Sequence, residues 1–141
     1  MENLKGKIVF ISGASSGIGK ACAESFAQAG AYLILCARQI EKIEEIAEGL
    51  KAKYKVEILT CKLDVQNKAD VTEVIDGLPQ SWKRIDILVN NAGLARGLEK
   101  LQDGETNDWD AMIDTNVKCL LYLTRKIVPF MLENKVNGHI I

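Results

Sequence analysis

The sequence predicts an α/β domain built on a doubly wound parallel sheet. Three observations carry that expectation. Short apolar runs alternate with longer amphipathic ones, several of the short runs are hydrophobic on successive residues, and three glycines crowd the stretch FISGASSGIGKA (Phe10–Ala21) just after the first run. Strands covered on both faces lose the in-out alternation of half-exposed strands, and parallel sheets are the architecture that covers both faces.

The strands come first in the reading. KIVFI (Lys7–Ile11), AYLILCA (Ala31–Ala37), VEILTCKL (Val56–Leu63) and RIDILVNN (Arg84–Asn91) are too short for core helices and are mostly bounded by glycine or polar residues. The third alternates more with polar residues, which places it towards an edge. A fifth begins at His139. Between them lie helical patterns. Ile18, Ala21, Cys22, Phe26 and Ala29 recur at spacings of three and four, and Gly30 ends that helix. Ile43, Ile46, Ala47 and Leu50 mark a second helix, and Val71, Val74, Ile75 and Leu78 a third that Pro79 stops. The fourth is the longest, with a stripe from Trp109 through Met112, Ile113, Asn116, Val117, Leu120, Leu123 (or Leu121) and Ile127 to Met131. Pro129 removes a hydrogen bond near its end and is expected to bend or loosen the last turn. The order β-α-β-α-β-α-β-α-β calls for right-handed crossovers. The longest loop runs from Gly93 to Asn107.

Composition excludes several function classes. Lysine and arginine number 18 against 19 acidic residues, a net charge of −1 with no basic cluster, which argues against a nucleic-acid surface. Cys22, Cys36, Cys61 and Cys119 form no C-x-x-C pair, and His139 is the sole histidine, so no metal site is expected. Each cysteine sits in an apolar segment, as in a reduced, cytoplasmic protein. MENLKGK lacks the apolar core of a signal peptide, and no apolar run reaches the roughly 18 residues of a membrane span.

The glycines raise the question of chemistry. In a doubly wound sheet, ligands bind beyond the carboxyl ends of the strands where the strand order reverses, and the loop after the first strand falls there. A phosphate needs backbone N–H groups at hydrogen-bonding distance, which a Cβ would hold off, and the next helix adds unpaired N–H groups and the positive end of its dipole. Ser12, Ser15 and Ser16 offer hydroxyl donors. A Walker A loop fails twice: Ala14 stands where its first glycine belongs, and Ala21 follows Lys20. The strict G-x-G-x-x-G fails at Cys22. What stands is G-x-x-x-G-x-G at 13, 17 and 19, which alone is also compatible with a tight structural turn.

Three further stretches add to it: LDV (Leu63–Val65), NNAG (Asn90–Gly93) and MIDTNV (Met112–Val117). With SGASSGIG at 12–19 they resemble, in order and spacing and along the whole chain, the motifs of the short-chain dehydrogenase/reductase family. The resemblance implies a Rossmann-like fold and a dinucleotide over Gly13, Ser15, Ser16, Gly17, Ile18 and Gly19. It implies that Asp64 accepts from the adenine amino group with the Val65 backbone beside it. Asn91, Ala92 and Gly93 would line the path of the adenosine ribose and nicotinamide, with Asn90 more structural. The asparagine matching Asn116 holds a water in the family's proton relay; a satisfied core polar group is the plainer alternative.

Cofactor choice turns on the end of the second strand. A free 2′-hydroxyl usually meets an acidic residue ~20 residues on from the glycines. Here stand Cys36, Ala37, Arg38 and Gln39. Arg38 suits a 2′-phosphate, so NADP is expected over NAD. Gln39 departs from the second basic residue often seen there, and Arg38 is otherwise a solvated loop residue near Glu41. Within the family, LPQSWKRIDILVNNAGLARGLEKLQDGETNDWDAMIDTNVK is similar to the NADP-dependent 3-hydroxy acid (serine 3-) dehydrogenases, which act on small hydroxy acids. The family's serine, tyrosine and lysine follow the fifth strand. The expectation is therefore one cofactor-binding domain over 1–141, cut off in strand five and inactive alone, from a parent that forms dimers or tetramers. The competing expectation is a non-catalytic nucleotide-binding or interaction module. Tyr122 and Lys126 form a Tyr-x-x-x-Lys by coincidence, since their helix already aligns through Asn116.

Overall fold

Five parallel strands stand in the order β3-β2-β1-β4-β5. They are β1 (Ile8–Ser12), β2 (Tyr32–Ala37), β3 (Ile58–Lys62), β4 (Ile87–Val89) and β5 (His139–Ile140). The computed structural model describes residues 3–141, so the first two residues of MENLKGK lie outside it. All five expected strands are present, the third at an edge. The order reverses between β1 and β4, directly above the glycine loop.

Two-sided burial explains the continuous apolar runs. Along β1, Ile8 and Phe10 pack on one face of the sheet while Val9 and Ile11 pack on the other. β2 does the same, with Ile34 and Cys36 opposed to Leu33 and Leu35. Helices α1 (Gly17–Gln28) and α2 (Ile40–Tyr54) cover the second face through Ala23, Ala27, Ile43 and Ala47. The first is covered by α3 (Lys68–Asp76) and α5 (Cys119–Glu133), through Val71, Ile75, Leu123 and Ile127. Each fully buried Leu or Ile contributes about 1.5–3 kcal/mol to holding these layers.

Two helices turn a different face to the core than periodicity suggests. In α1, Ile18 is 75% exposed and Ala21 is also outside, while Gly19, Ala23 and Ala27 face inward. Gly19 must pack against the glycine loop, and that contact fixes the rotation of the whole helix. Gly30 then closes α1 with paired N–H···O bonds from Gly30 to Ala27 and from Ala31 to Phe26, the Schellman arrangement. The long fourth helix divides into α4 (Thr106–Ile113), a wide π turn at Asp114–Lys118, and α5. The wide turn shifts the stripe, so Thr115, Cys119, Leu123, Ile127 and Met131 face the core. Ile113, Val117, Leu120 and Leu121 stand exposed. The helix continues through Pro129 to Glu133, so the irregularity lies at Asp114–Lys118 rather than at the proline.

Cys36 and Cys61 lie opposite each other on β2 and β3, and burial pushes the Cys36 thiol well above its usual range. All four cysteines are free thiols. Among the described residues no helix is long and apolar enough to cross a membrane, and no group of three or more His, Cys, Asp or Glu could hold a metal ion.

A buried carboxylate ties the amino ends of β1 and β4. Asp86 accepts from the Ile8 backbone N–H at 3.0 Å and pairs with the Lys7 ammonium at 3.0 Å. Asp86→Ala is expected to destabilise the fold by about 2–3 kcal/mol, because the Ile8 donor is left without a partner inside the protein. Lys7 is half-exposed, and Lys7→Ala is expected to cost under about 1 kcal/mol. Urea denaturation of the two variants checks the ranking, and equal losses would refute it.

Candidate functional site

The site is built where β1 and β4 part at their carboxyl ends. Ser12, the last residue of β1, is 1% exposed, and its hydroxyl donates to the Val89 carbonyl at 3.3 Å. The same oxygen accepts from the backbone N–H groups of Asn91 and Ala92, both at 3.1 Å. In return the Asn91 amide donates to the carbonyls of Ser12 at 3.2 Å and Gly13 at 3.0 Å. Two loops are thereby locked to each other. The expected use of the Ser12 hydroxyl as a ligand donor is corrected: it is spent inside this knot.

The three glycines divide the work. A Cβ on Gly13 would stand 3.0 Å from the Ala92 Cα, and one on Gly19 would overlap the Gly13 carbonyl and the Asn91 amide. Gly17 meets nothing nearby, but its φ of +53° is strained for other residues. α1 then opens without a side-chain cap at Ser16 and without an acidic residue in its first turn. By contrast, α3 is capped by Asn67, whose carbonyl oxygen accepts from Ala69 and Asp70. Uncapped N–H groups at the head of α1 leave a place for an anion.

Over this loop lies a crevice of about 860 Å³. Gly13, Ser15, Ser16, Gly17, Ile18, Arg38, Gln39, Asp64, Val65, Asn91, Ala92 and Gly93 all line it. Gly19 does not; it lies behind, at the contact between loop and helix. Among the described residues of the lining, Asp64 is the sole acidic one and Arg38 and Arg96 are the cationic ones. One Asp64 oxygen accepts from the Gln66 N–H at 3.1 Å, while the Asp64 N–H donates to Asp70 at 2.7 Å. The chain after β3 is held in shape before any ligand arrives.

Asn116 sits in the wide turn and is committed to the loop after β4. Its carbonyl oxygen accepts from the Leu94 N–H and its amide donates to the Leu94 carbonyl, both at 2.8 Å. Nearby, Gln66 donates to the Thr115 hydroxyl at 2.6 Å, which donates onward to the Ala111 carbonyl at 2.8 Å. Gln66, Leu94, Arg96 and Thr115 line the crevice without having been singled out in the sequence. Leu94 and Arg96 fall in the longest loop and Thr115 within MIDTNV, whereas Gln66 directly follows LDV. Tyr122 and Lys126 are elsewhere: Lys126 pairs with Asp76 of α3 at 2.6 Å, and Tyr122 packs against the core.

Fold and crevice together define a Rossmann-like α/β domain. Residues 7–141 match the family model described as short chain dehydrogenase, and the chain belongs to that family. It is 45% identical over 137 residues to an NADP-dependent 3-hydroxy acid dehydrogenase of Schizosaccharomyces pombe, covering 96% of this chain and 53% of that protein. It is 43% identical over 134 residues to sulfoacetaldehyde reductase 2 of Chromohalobacter salexigens, covering 95% and 52%. Among solved structures, the closed form of a serine dehydrogenase complexed with NADP+ superposes with a TM-score of 0.84 at 41% identity, covering 94% of this chain and 52% of that one. The chain spans about half the length of these relatives.

Proposed function

We propose that this chain is the NADP-binding domain of an oxidoreductase acting between NADP(H) and a small hydroxy acid or related alcohol or carbonyl compound. The observation that carries the reading is the rim of the crevice: Arg38 and Gln39 follow β2, and among the described residues no carboxylate lines the crevice at that point. The site fits a dinucleotide on its own terms, since Gly13 and Gly19 let the loop pack closely on Asn91, Ala92 and α1 where a Cβ has no room, and the head of α1 is uncapped. When bound, the nicotinamide supplies or accepts the hydride.

This chain's residues bind and orient. The backbone around Gly13, Ser15, Ser16, Gly17 and Ile18 approaches the pyrophosphate, and Gly19 keeps the loop closed on α1. Arg38 and Gln39 meet the 2′-phosphate, Asp64 and Val65 the adenine, and Asn91, Ala92 and Gly93 the ribose and nicotinamide side. Asn116 serves a proton relay. Its side chain is committed to Leu94, which fixes the loop after β4 against the wide turn. The exposed band of Ile113, Val117, Leu120 and Leu121 suits burial against a second copy in a dimer or tetramer. Four free thiols suit the cytoplasm.

Arg38→Glu tests the cofactor reading. NADPH affinity is expected to fall roughly 30- to 100-fold, as charge-assisted hydrogen bonds are lost, while NADH affinity changes little. Fluorescence titration with both cofactors measures this. Equal losses would refute the role given to Arg38.

A further inference from the structure

Beside the crevice a second hollow, of about 490 Å³, lies between α1 and α2, and Ser15 lines both. Lys20, Lys42 and Lys53 line it against two acidic residues, Glu24 and Glu45. Lys53 and Glu24 are already committed to each other at 2.8 Å, and the Tyr54 hydroxyl donates to the same carboxylate oxygen at 3.1 Å. Among the described residues, neither Lys20 nor Lys42 has a carboxylate within 4.0 Å. Lys20 lies in the first turn of α1, and Lys42 in the first turn of α2 just past Gln39. Two ammonium groups therefore line a hollow that also reaches Ser15, and among the described residues Glu45 has no cation within 4.0 Å.

We propose that Lys42, backed by Lys20, supplies the second cation for the cofactor's 2′-phosphate, in place of a basic side chain at Gln39. The inference rests on the NADP reading above. A phosphate monoester carries about −1.5 to −2 charges at neutral pH, more than the single guanidinium of Arg38 neutralises. Gln39 is neutral, so the remaining charge must come from nearby. A lysine is a point charge on a flexible stem and needs no fixed fork to reach a phosphate oxygen.

The test is calorimetric titration of the protein and its Lys42→Gln, Lys42→Arg and Arg38→Gln variants with NADPH, NADH, 2′,5′-ADP and 5′-AMP. Lys42→Gln is expected to weaken NADPH and 2′,5′-ADP by roughly three- to tenfold, the scale of a partly screened ion pair. NADH and 5′-AMP should be unaffected, and Lys42→Arg should retain the preference. The role of Lys42 is overturned if Lys42→Gln leaves NADPH unchanged, or weakens NADPH and NADH alike, while Arg38→Gln still removes the preference. If the unsubstituted protein binds NADPH no tighter than NADH, the NADP reading itself fails and the role of Lys42 with it.

Discussion

Gly19→Ala is expected to cost the fold about 3 kcal/mol and to abolish cofactor binding, although the added group is one methyl. That methyl would overlap the Gly13 carbonyl and the Asn91 amide, so it meets backbone and a side chain already locked by two hydrogen bonds. Relief requires α1 to move away from the loop, which pulls Ala23 and Ala27 off the sheet. Gly17→Ala makes the useful contrast. Its methyl points into open space, and only the positive φ resists it, at about 1–2 kcal/mol. Urea unfolding of both variants beside an NADPH titration separates the two causes. Similar losses of stability would mean that Gly19 does not make the contact described.

The difference between these glycines shows where sequence reasoning stopped. The spacing 13, 17, 19 marked a loop that lets backbone approach an anion. Which glycine faces the ligand and which faces the protein depends on Asn91, which comes from the loop after β4 and lies far along the chain. The strands were legible because two-sided burial leaves its mark on consecutive residues, as along Val9, Phe10 and Ile11. The rotation of α1 was not, because it is set by the Gly19 contact rather than by the pattern of apolar residues. The same holds for the wide turn at Asp114–Lys118: DTNVK contains neither glycine nor proline, and its extra residue moves the buried stripe from Asn116 and Val117 to Thr115 and Cys119. Gln66 and Thr115 meet only once β3 and the long helix are packed together. Ser12 could have been read correctly. It continues the alternation of Ile8 and Phe10 by one more step, which turns it into the protein and away from a ligand.

That inward position makes Ser12 and Asn91 a coupled pair, with consequences for both stability and binding. Ser12→Ala leaves the N–H groups of Asn91 and Ala92 without the hydroxyl oxygen, at an expected cost of about 2–4 kcal/mol. Asn91→Ala leaves the Ser12 and Gly13 carbonyls without their amide donor, at about 1–3 kcal/mol. The two losses should not add. Either change alone removes half of the bonds between the loop after β4 and the glycine loop and loosens the rest, so the second change has less left to break. The double variant is therefore expected to be about 1 kcal/mol more stable than the sum of the singles predicts. Cofactor affinity should follow the same pattern, since Gly13 and Ala92 line the crevice from opposite sides of this knot. A double-mutant cycle in urea, repeated as an NADPH titration, measures both couplings. Additivity within about 0.3–0.5 kcal/mol would mean that the bonds act separately and that the knot is not what holds the crevice open.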